Sequence, residues 1–424
     1  MPVRGFALTE VRGGSHLGDQ QVLAALQQAI PEEAIDAVIA ETGTREQRKR
    51  RLPARLVVAF VIGLGLWARE GLVAVISELV DGLREQDPSP WRAWRPPVKS
   101  ALSQARRRLG VRPLFLLFRR LAGPVAPAGL AGAFLCGRRL MALDGTTLDL
   151  PDTPANARAF GRPSTTLKDG TRRWGPFPQV KLVWLVEVGT HAVCDLLIWP
   201  WATSEVPLAR RLLRSVEAGM LVLWDRGLHS YAQLRATRER GADFLGRVPA
   251  HVRLAPEEPL ADGSFLTTLY PSDAARQRHA DGLVVRVIEY TIDDPARPRP
   301  DERYRLVTSL LDPREAPAHL LALEYHQRWE VEGALDELKV HQVDRRPAPH
   351  LRSRHPRAVV QELYGLVLAH RAIRCLMAEA AARADLDPDR LSFTDTLRVL
   401  RRAVPRCQRA LASPDASPFC STAS

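Results

Sequence analysis

The order of apolar segments between residues 140 and 240 constrains the fold most strongly. Six segments there have periodicities typical of strand, strand, strand, helix, strand and helix, in that order. They are Leu140–Leu143, Val180–Val188, Ala192–Trp199, Glu205–Ala218, Leu221–Trp224 and a helix from about His229. The turn Gly189-Thr190-His191 joins the second and third strands as a hairpin, whereas a helix separates the third from the fourth. The pattern therefore predicts an α/β chain with a mixed sheet.

Three antiparallel strands followed by a helical crossover to a fourth are the layout of the RNase H-like fold. Before them the chain reads as helical, and the Ala-, Gly- and Pro-rich stretch 124–132 is typical of a linker. After them, strand-like pieces among turn-rich segments predict a β-rich insertion. The predicted units are a helical N-terminal domain (1–130), the first part of the catalytic core (138–245), the β-rich insertion (246–315), the second part of the core with C-terminal helices (316–405), and a tail (406–424).

The charge balance points to a polyanionic partner. The chain has 60 Lys and Arg against 48 Asp and Glu, a net charge of +12, and a positive field of this kind attracts nucleic acid. The run Arg106-Arg107-Arg108 ends a helix predicted over 100–109. It fits either a solvated face or a helix that contacts phosphates, and Arg106 and Arg107 are our candidate DNA contacts.

Other classes of protein fit the sequence poorly. The five cysteines form no Cys-x-x-Cys pair, which argues against a zinc ribbon and a disulfide framework. The longest apolar run, Leu56–Ala68, has 13 residues, too few for a bilayer and more typical of a buried helix. No phosphate-binding Gly-x4-Gly-Lys motif is present, so ATP is not expected. We expect no membrane partner and a cytoplasmic location.

Two aspartates stand out because each follows a short apolar strand and precedes a glycine. Asp144 comes before Gly145, and Asp225 comes two residues before Gly227. Strand ends beside glycine turns expose side chains at the rim of a sheet, where ligands bind. From the residues alone, Asp149 and Asp152 remain alternatives to Asp144, although Asp152 could simply cap a proline turn.

A third acidic candidate lies on a helix predicted from about Pro317 to Lys339. Tyr325, Arg328, Glu332 and Lys339 fall within about 60° of one another on one helix face. With the two aspartates, Glu332 would complete a carboxylate set for two divalent cations, Mg²⁺ or Mn²⁺. The alternative is a surface carboxylate paired with Arg328. We expect Glu337, which points elsewhere, to be solvated, and Trp174 to pack in the core or a loop.

The spacing Tyr-x2-Arg-x3-Glu-x6-Lys resembles the motif of DDE transposases of the insertion-sequence-four family, and all four of its residues are present. The segments Leu143–Thr146 and Leu223–Gly227 are similar to that family too, and the likeness covers roughly residues 20–405. The resemblance implies an RNase H-like catalytic domain with a β-rich insertion, preceded by an α-helical DNA-binding domain. It implies Asp144, Asp225 and Glu332 as catalytic metal ligands.

The same resemblance implies a role for the other residues of the helix and for the partners. Tyr325, Arg328 and Lys339 would contact DNA near the cleaved phosphate, and Trp329 could stack on a flipped base. The expected partners are terminal inverted repeats and target DNA, bound by a homodimer. The expected reaction is Mg²⁺-dependent cut-and-paste transposition of an insertion sequence. The rivals are a nuclease without transfer activity and an inactive or domesticated DNA-binding relative.

Overall fold

The computed structural model describes residues 28–48, 50–86, 94–292, 303–327, 337–338 and 349–407, so most of the predicted tail lies outside the described residues. The chain is a mixed α/β protein built on one large sheet. The helices are α1 (Glu32–Glu41), α2 (Ala54–Leu66), α3 (Leu72–Gln86), α4 (Lys99–Leu109), α5 (Arg112–Leu121), α6 (Pro154–Phe160), α7 (Glu205–Leu212), α8 (Tyr231–Glu239), α9 (Asp273–Gln277), α10 (Ala318–Gln327), α11 (Pro356–Ala384) and α12 (Phe393–Cys407). The strands are β1 (Phe134–Leu135), β2 (Arg138–Asp149), β3 (Ser164–Thr166), β4 (Arg172–Trp174), β5 (Gln179–Glu187), β6 (Val193–Pro200), β7 (Met220–Trp224), β8 (Asp243–Arg247), β9 (Glu258–Pro259), β10 (Phe265–Leu269), β11 (Leu283–Tyr290) and β12 (Tyr304–Thr308).

The large sheet has the strand order β6-β5-β2-β7-β8-β12-β11-β10-β9, with β1 added beside β2. β2 pairs antiparallel with β5 and parallel with β7, and β7 pairs parallel with β8. The predicted hairpin of β5 and β6 is confirmed. Strands β9 to β12, which fall in the predicted insertion, continue the same sheet because β12 pairs with β8.

Alternating side chains give the two faces of this sheet different partners. On one face, here called the α7 face, Met141 and Leu143 of β2 share a cluster with Leu208 of α7. On the other, here called the α10 face, Leu140 and Ala142 of β2 pack with α10 in a second cluster. A two-residue period along each strand separates the two sets.

Helix α2 is almost entirely buried because almost all of its residues are apolar. Of its 13 residues, 11 are buried, and it packs against the 29-residue helix α11 near the other end of the chain. The same core reaches the sheet through Trp184 of β5. The helical stretch near the N-terminus and the C-terminal helices thus share one apolar core. Among the described residues, no helix is both long and apolar enough to span a bilayer.

Helices α2 and α11 approach closely at two glycines. A Cβ atom on Gly65 would lie 2.9 Å from the Cα of Leu366, and one on Gly365 would collide with the backbone oxygen of Val61. Since backbone atoms cannot rotate away as a side chain can, both positions require the absence of a side chain.

We expect Gly365→Ala to lower the free energy of unfolding by about 3 kcal/mol, because overpacking in a tight core forces the helices apart. Urea denaturation followed by circular dichroism measures the change. Gly71→Ala is the matched control, since a Cβ atom added there would meet nothing within 4 Å, and we expect a cost below about 1 kcal/mol. Equal stability of the Gly365→Ala and wild-type proteins would contradict the close approach.

The stretch 151–178, which connects β2 to β5, contains regular secondary structure. It contains helix α6, whose N-cap Thr153 accepts a hydrogen bond from the backbone N–H of Asn156, and the two-stranded ribbon β3–β4. The placement of Trp174 in the core or in loop packing was wrong, because this side chain is 54% exposed. Trp184 and Trp224, on strands of the large sheet, are buried.

Candidate active site

Strands β2 and β7 bring Asp144 and Asp225 side by side on one face of the sheet. The last paired residues of these parallel strands are Ala142 and Leu223, and each aspartate follows two residues later. Ala142 and Leu223 both pack on the α10 face. Side chains two residues apart on a strand share a face, so both carboxylates belong to the α10 face. Asp225 directly follows the end of β7, as predicted, but the prediction that Asp144 follows the end of its strand was wrong. Asp144 lies inside β2, which continues to Asp149 because its second half still pairs with β5.

Each aspartate is fixed by a backbone N–H of the residues that follow it. Oδ1 of Asp144 accepts from the N–H of Gly145 at 2.7 Å, and Oδ1 of Asp225 accepts from the N–H of Gly227 at 2.5 Å. Both side chains are half-buried. On the opposite face of β2, the carboxylate of Glu205 lies 2.7 Å from where a Cβ of Gly145 would be. The glycine after Asp144 therefore leaves room for the start of α7.

Helix α10 lies on the same face as the two aspartates. Its Leu321 and Tyr325 are buried in the cluster that includes Ala142 and Leu223, and the Tyr325 hydroxyl donates to the carbonyl oxygen of Trp224 at 3.3 Å. Trp224 is the residue before Asp225. This contact ties the end of α10 to the strand that carries the second carboxylate.

The remaining predicted residues of this helix, Arg328, Trp329, Glu332 and Lys339, lie outside the described residues. Tyr325 was predicted to contact DNA, but it is only 4% exposed and its hydroxyl meets a backbone carbonyl. The structure thus gives Tyr325 a structural contact that the helical spacing did not reveal.

The two predicted DNA contacts of α4, Arg106 and Arg107, differ in burial: the first is buried and the second is exposed. Arg106 is 5% exposed; its guanidinium donates to Gln361 at 3.3 Å, Ser353 at 3.1 Å and the carbonyl of Ala358 at 2.7 Å, and burial lowers its pKa. The prediction that Arg106 binds DNA is therefore wrong, because protein acceptors occupy its donors. Arg107, the next residue, is exposed.

A buried ionic cluster surrounds Glu337, whose predicted solvation was wrong: it is 8% exposed. Its Oε2 accepts a hydrogen bond from Nε of Arg374 at 2.9 Å and lies 3.1 Å from Nε2 of His370. Its Oε1 lies 3.3 Å from Nδ1 of His191. His191 in turn lies 3.4 Å from a carboxylate oxygen of Asp389. The spacing of His370 and Arg374, one turn apart in an apolar helix, was the sequence signal for a buried partner.

The pKa of Glu337 follows from these contacts. Burial by itself raises the pKa of a carboxyl, but hydrogen bonds from His191 and His370 and the charge of Arg374 outweigh it and hold the pKa well below its usual range. Glu337 therefore stays ionised and joins the segment after α10 to the β5–β6 turn and to α11.

The donor set beside the sheet suits a hard divalent cation. Asp144 and Asp225 offer carboxylate oxygens, which Mg²⁺ and Mn²⁺ prefer, and no cysteine lies among them. Within the described ranges no group of three His, Cys, Asp or Glu side chains is arranged to hold a metal. The third predicted ligand, Glu332, falls in the gap between residues 327 and 337.

Two family models and two relatives match this chain. Residues 20–119 match the family model described as insertion element 4 transposase N-terminal, and residues 135–371 match the transposase DDE domain. The chain is 30% identical over 399 residues to transposase InsG for insertion sequence element IS4 of Escherichia coli (strain K12), which covers 92% of this chain and 84% of the relative. It is 25% identical to the putative transposase InsZ of the same organism, over 64% of this chain and 85% of that protein.

Among solved structures, the synaptic complex of piggyBac transposase with hairpin DNA aligns with a TM-score of 0.45 and 13% identity, covering 93% of this chain and 82% of that one. The matched domain and the identity to InsG define a DNA transposase with a DDE domain. Within that class, the chain belongs to the insertion element 4 transposase family.

Proposed function

We propose that this transposase moves an insertion sequence by a cut-and-paste reaction, as a homodimer on its terminal inverted repeats. The observation that carries the proposal is that Asp144 and Asp225 lie side by side on the same face of neighbouring parallel strands, with α10 packed on that face. The strand order β6-β5-β2-β7-β8, with its first three strands antiparallel, supports an RNase H-like catalytic core.

In this proposal Asp144, Asp225 and Glu332 hold two Mg²⁺ or Mn²⁺ ions. Bound there, such ions would polarise the scissile phosphodiester and make water a better nucleophile. Tyr325 supports Glu332 indirectly, because its burial and its hydrogen bond to Trp224 fix the helix seven residues before the glutamate. The buried cluster of Glu337 fixes the chain five residues after it.

The other polar residues position DNA. Arg328 and Lys339 bind phosphates beside the scissile bond, with Arg the better bidentate partner, and Trp329 stacks on an unpaired base. Exposed Arg107 adds a phosphate contact on α4. Hydrolysis at the end of the element frees a 3′-OH, which then attacks a phosphodiester of the target DNA in line. The protein acts on chromosomal DNA in the bacterial cytoplasm, at the nucleoid.

The test combines a linear substrate that carries the element's terminal repeat, a plasmid target and the protein, with and without Mg²⁺. We expect metal-dependent cuts at the repeat boundary and products joined to the plasmid. Cutting without joining would instead indicate a nuclease. Binding without cutting would indicate an inactive or domesticated relative.

A further inference from the structure

The ribbon β3–β4, residues 164–174, is an exposed feature that the proposed chemistry does not use. Every residue from 165 to 174 is exposed, including Trp174 at 54% and Leu167 at 43%. Its two strands pair only with each other, as a separate two-stranded sheet. A two-stranded ribbon gains little stability on its own, so large apolar side chains on it suggest a surface that another molecule covers.

Hydrogen bonds nevertheless hold the ribbon in one shape. The backbone N–H of Leu167 donates to the carbonyl of Thr171 at 2.8 Å, and Gly170, at φ +81°, makes the tight turn. At the base, the N–H of Gly175 donates to the carbonyl of Pro163 at 2.8 Å, and Arg162 donates to the carbonyl of Pro176 at 2.6 Å. The ribbon is therefore preorganised, which lowers the entropic cost of binding a partner.

The charge of the ribbon selects the kind of partner. Lys168, Arg172 and Arg173 outnumber the single acid, Asp169, and the Arg172 guanidinium lies 4.4 Å from the centre of the Trp174 ring. Nε of Arg172 also donates to the hydroxyl of Ser164 at 2.8 Å, which keeps the guanidinium over the ring. A second copy of this chain would bring a net charge of +12, so a polyanion is the better match.

The ribbon lies beyond the carboxyl end of β2, the strand that carries Asp144. β2 runs from Arg138 to Asp149, past Asp144, and Asp149 pairs with Gln179 at the start of β5. The ribbon is part of the connection between those two residues. Five residues separate Asp144 from Asp149, about 17 Å along a strand, which is within the span of a DNA duplex held at the carboxylates.

We infer that the β3–β4 ribbon enters a groove of the DNA on which the active site works. A two-stranded ribbon fits the major groove; Arg172, Arg173 and Lys168 contact phosphates, and Trp174 covers apolar sugar or base surface. This inference rests on the transposase function and adds a DNA contact outside the catalytic helix.

The test measures the salt dependence of binding to two labelled duplexes, one with the element's terminal repeat and one of unrelated sequence that stands for target DNA. We expect Arg172→Ala with Arg173→Ala to reduce the slope of log K against log salt by about 1 to 2, since each phosphate contact contributes about 0.9. Trp174→Ala should weaken binding several-fold with an unchanged slope, because an apolar contact releases no counterions.

The matched control is Arg383→Ala with Arg390→Ala, two exposed arginines far from the ribbon in sequence. Arg390 follows Asp389, which contacts His191 in the turn at the opposite end of β5. Its slope should equal that of the wild type. A loss confined to one duplex would assign the ribbon to the element end or to the target. An unchanged slope in the ribbon variant would overturn the inference, as would a change only in self-association. If wild type bound neither duplex, the DNA function itself would fail.

Discussion

Asp225→Asn is expected to reduce DNA cleavage by about a thousandfold or more while leaving binding to the element's ends intact. Asparagine keeps the shape of the side chain and an oxygen that can accept from the N–H of Gly227. It removes the negative charge that a divalent cation needs, and several kcal/mol of lost transition-state stabilisation correspond to this factor. We expect Asp144→Asn to behave in the same way. Cleavage of a labelled repeat substrate and gel-shift binding measure the two quantities.

Asp152→Asn is the matched control for these variants. Asp152 was an alternative to Asp144, but its carboxylate is exposed and forms an ion pair with Arg162. We expect cleavage within about twofold of wild type, because exposed ion pairs contribute little. Full activity of Asp225→Asn, or a comparable loss in Asp152→Asn, would remove the basis for the proposed metal site.

Glu337→Ala is expected to lower the free energy of unfolding by about 3 to 5 kcal/mol, the cost of removing one partner of a buried ion pair. The change would leave Arg374, which is 1% exposed, without its main acceptor beside two buried histidines. Urea denaturation measures this loss. Because the cluster anchors the chain five residues after Glu332, we also expect cleavage to fall more than DNA binding.

Glu379→Ala tests whether any glutamate near α11 has this effect. Glu379 forms an exposed ion pair with Arg383, so the expected cost is below about 1 kcal/mol. The pH dependence adds a second check. Since the pKa of Glu337 lies below its ordinary 4.5, its ionised form stabilises the fold at every pH above 4.5, and this contribution is lost as the pH falls further. An equal loss of unfolding free energy in Glu337→Ala and Glu379→Ala would contradict the buried cluster.

The sequence predicted the positions of the buried strands and of the glycines that follow them. The hairpin of β5 and β6, the buried strand β7 and the buried helix α2 follow from local periodicity, which neighbouring residues alone determine. The position of Asp225 just after a buried strand follows from the same local rule, whereas Asp144 lies inside β2 and not at its end. The resemblance to the transposase family depended on short motifs, and the family matches confirm it.

The errors concern residues whose environment comes from distant parts of the chain. Arg106 looked like part of a basic surface run, but Gln361, 255 residues away, accepts its hydrogen bond. Glu337 looked solvated on a helical wheel, whereas His191 and Arg374 enclose it. Trp174 was expected to pack in the core or a loop, but it lies on a ribbon whose strands pair only with each other, and its side chain is 54% exposed.

The sequence by itself thus determined the order of the main strands and helices, the family, and the position of one candidate carboxylate, Asp225, at the end of a strand. Only the tertiary structure decided that α2 and α11 share one core, that both aspartates lie on the face covered by α10, and which charged side chains are buried. The physical reason is that periodicity records which side of an element is apolar, while the partner of that side is set by contacts between residues hundreds of positions apart.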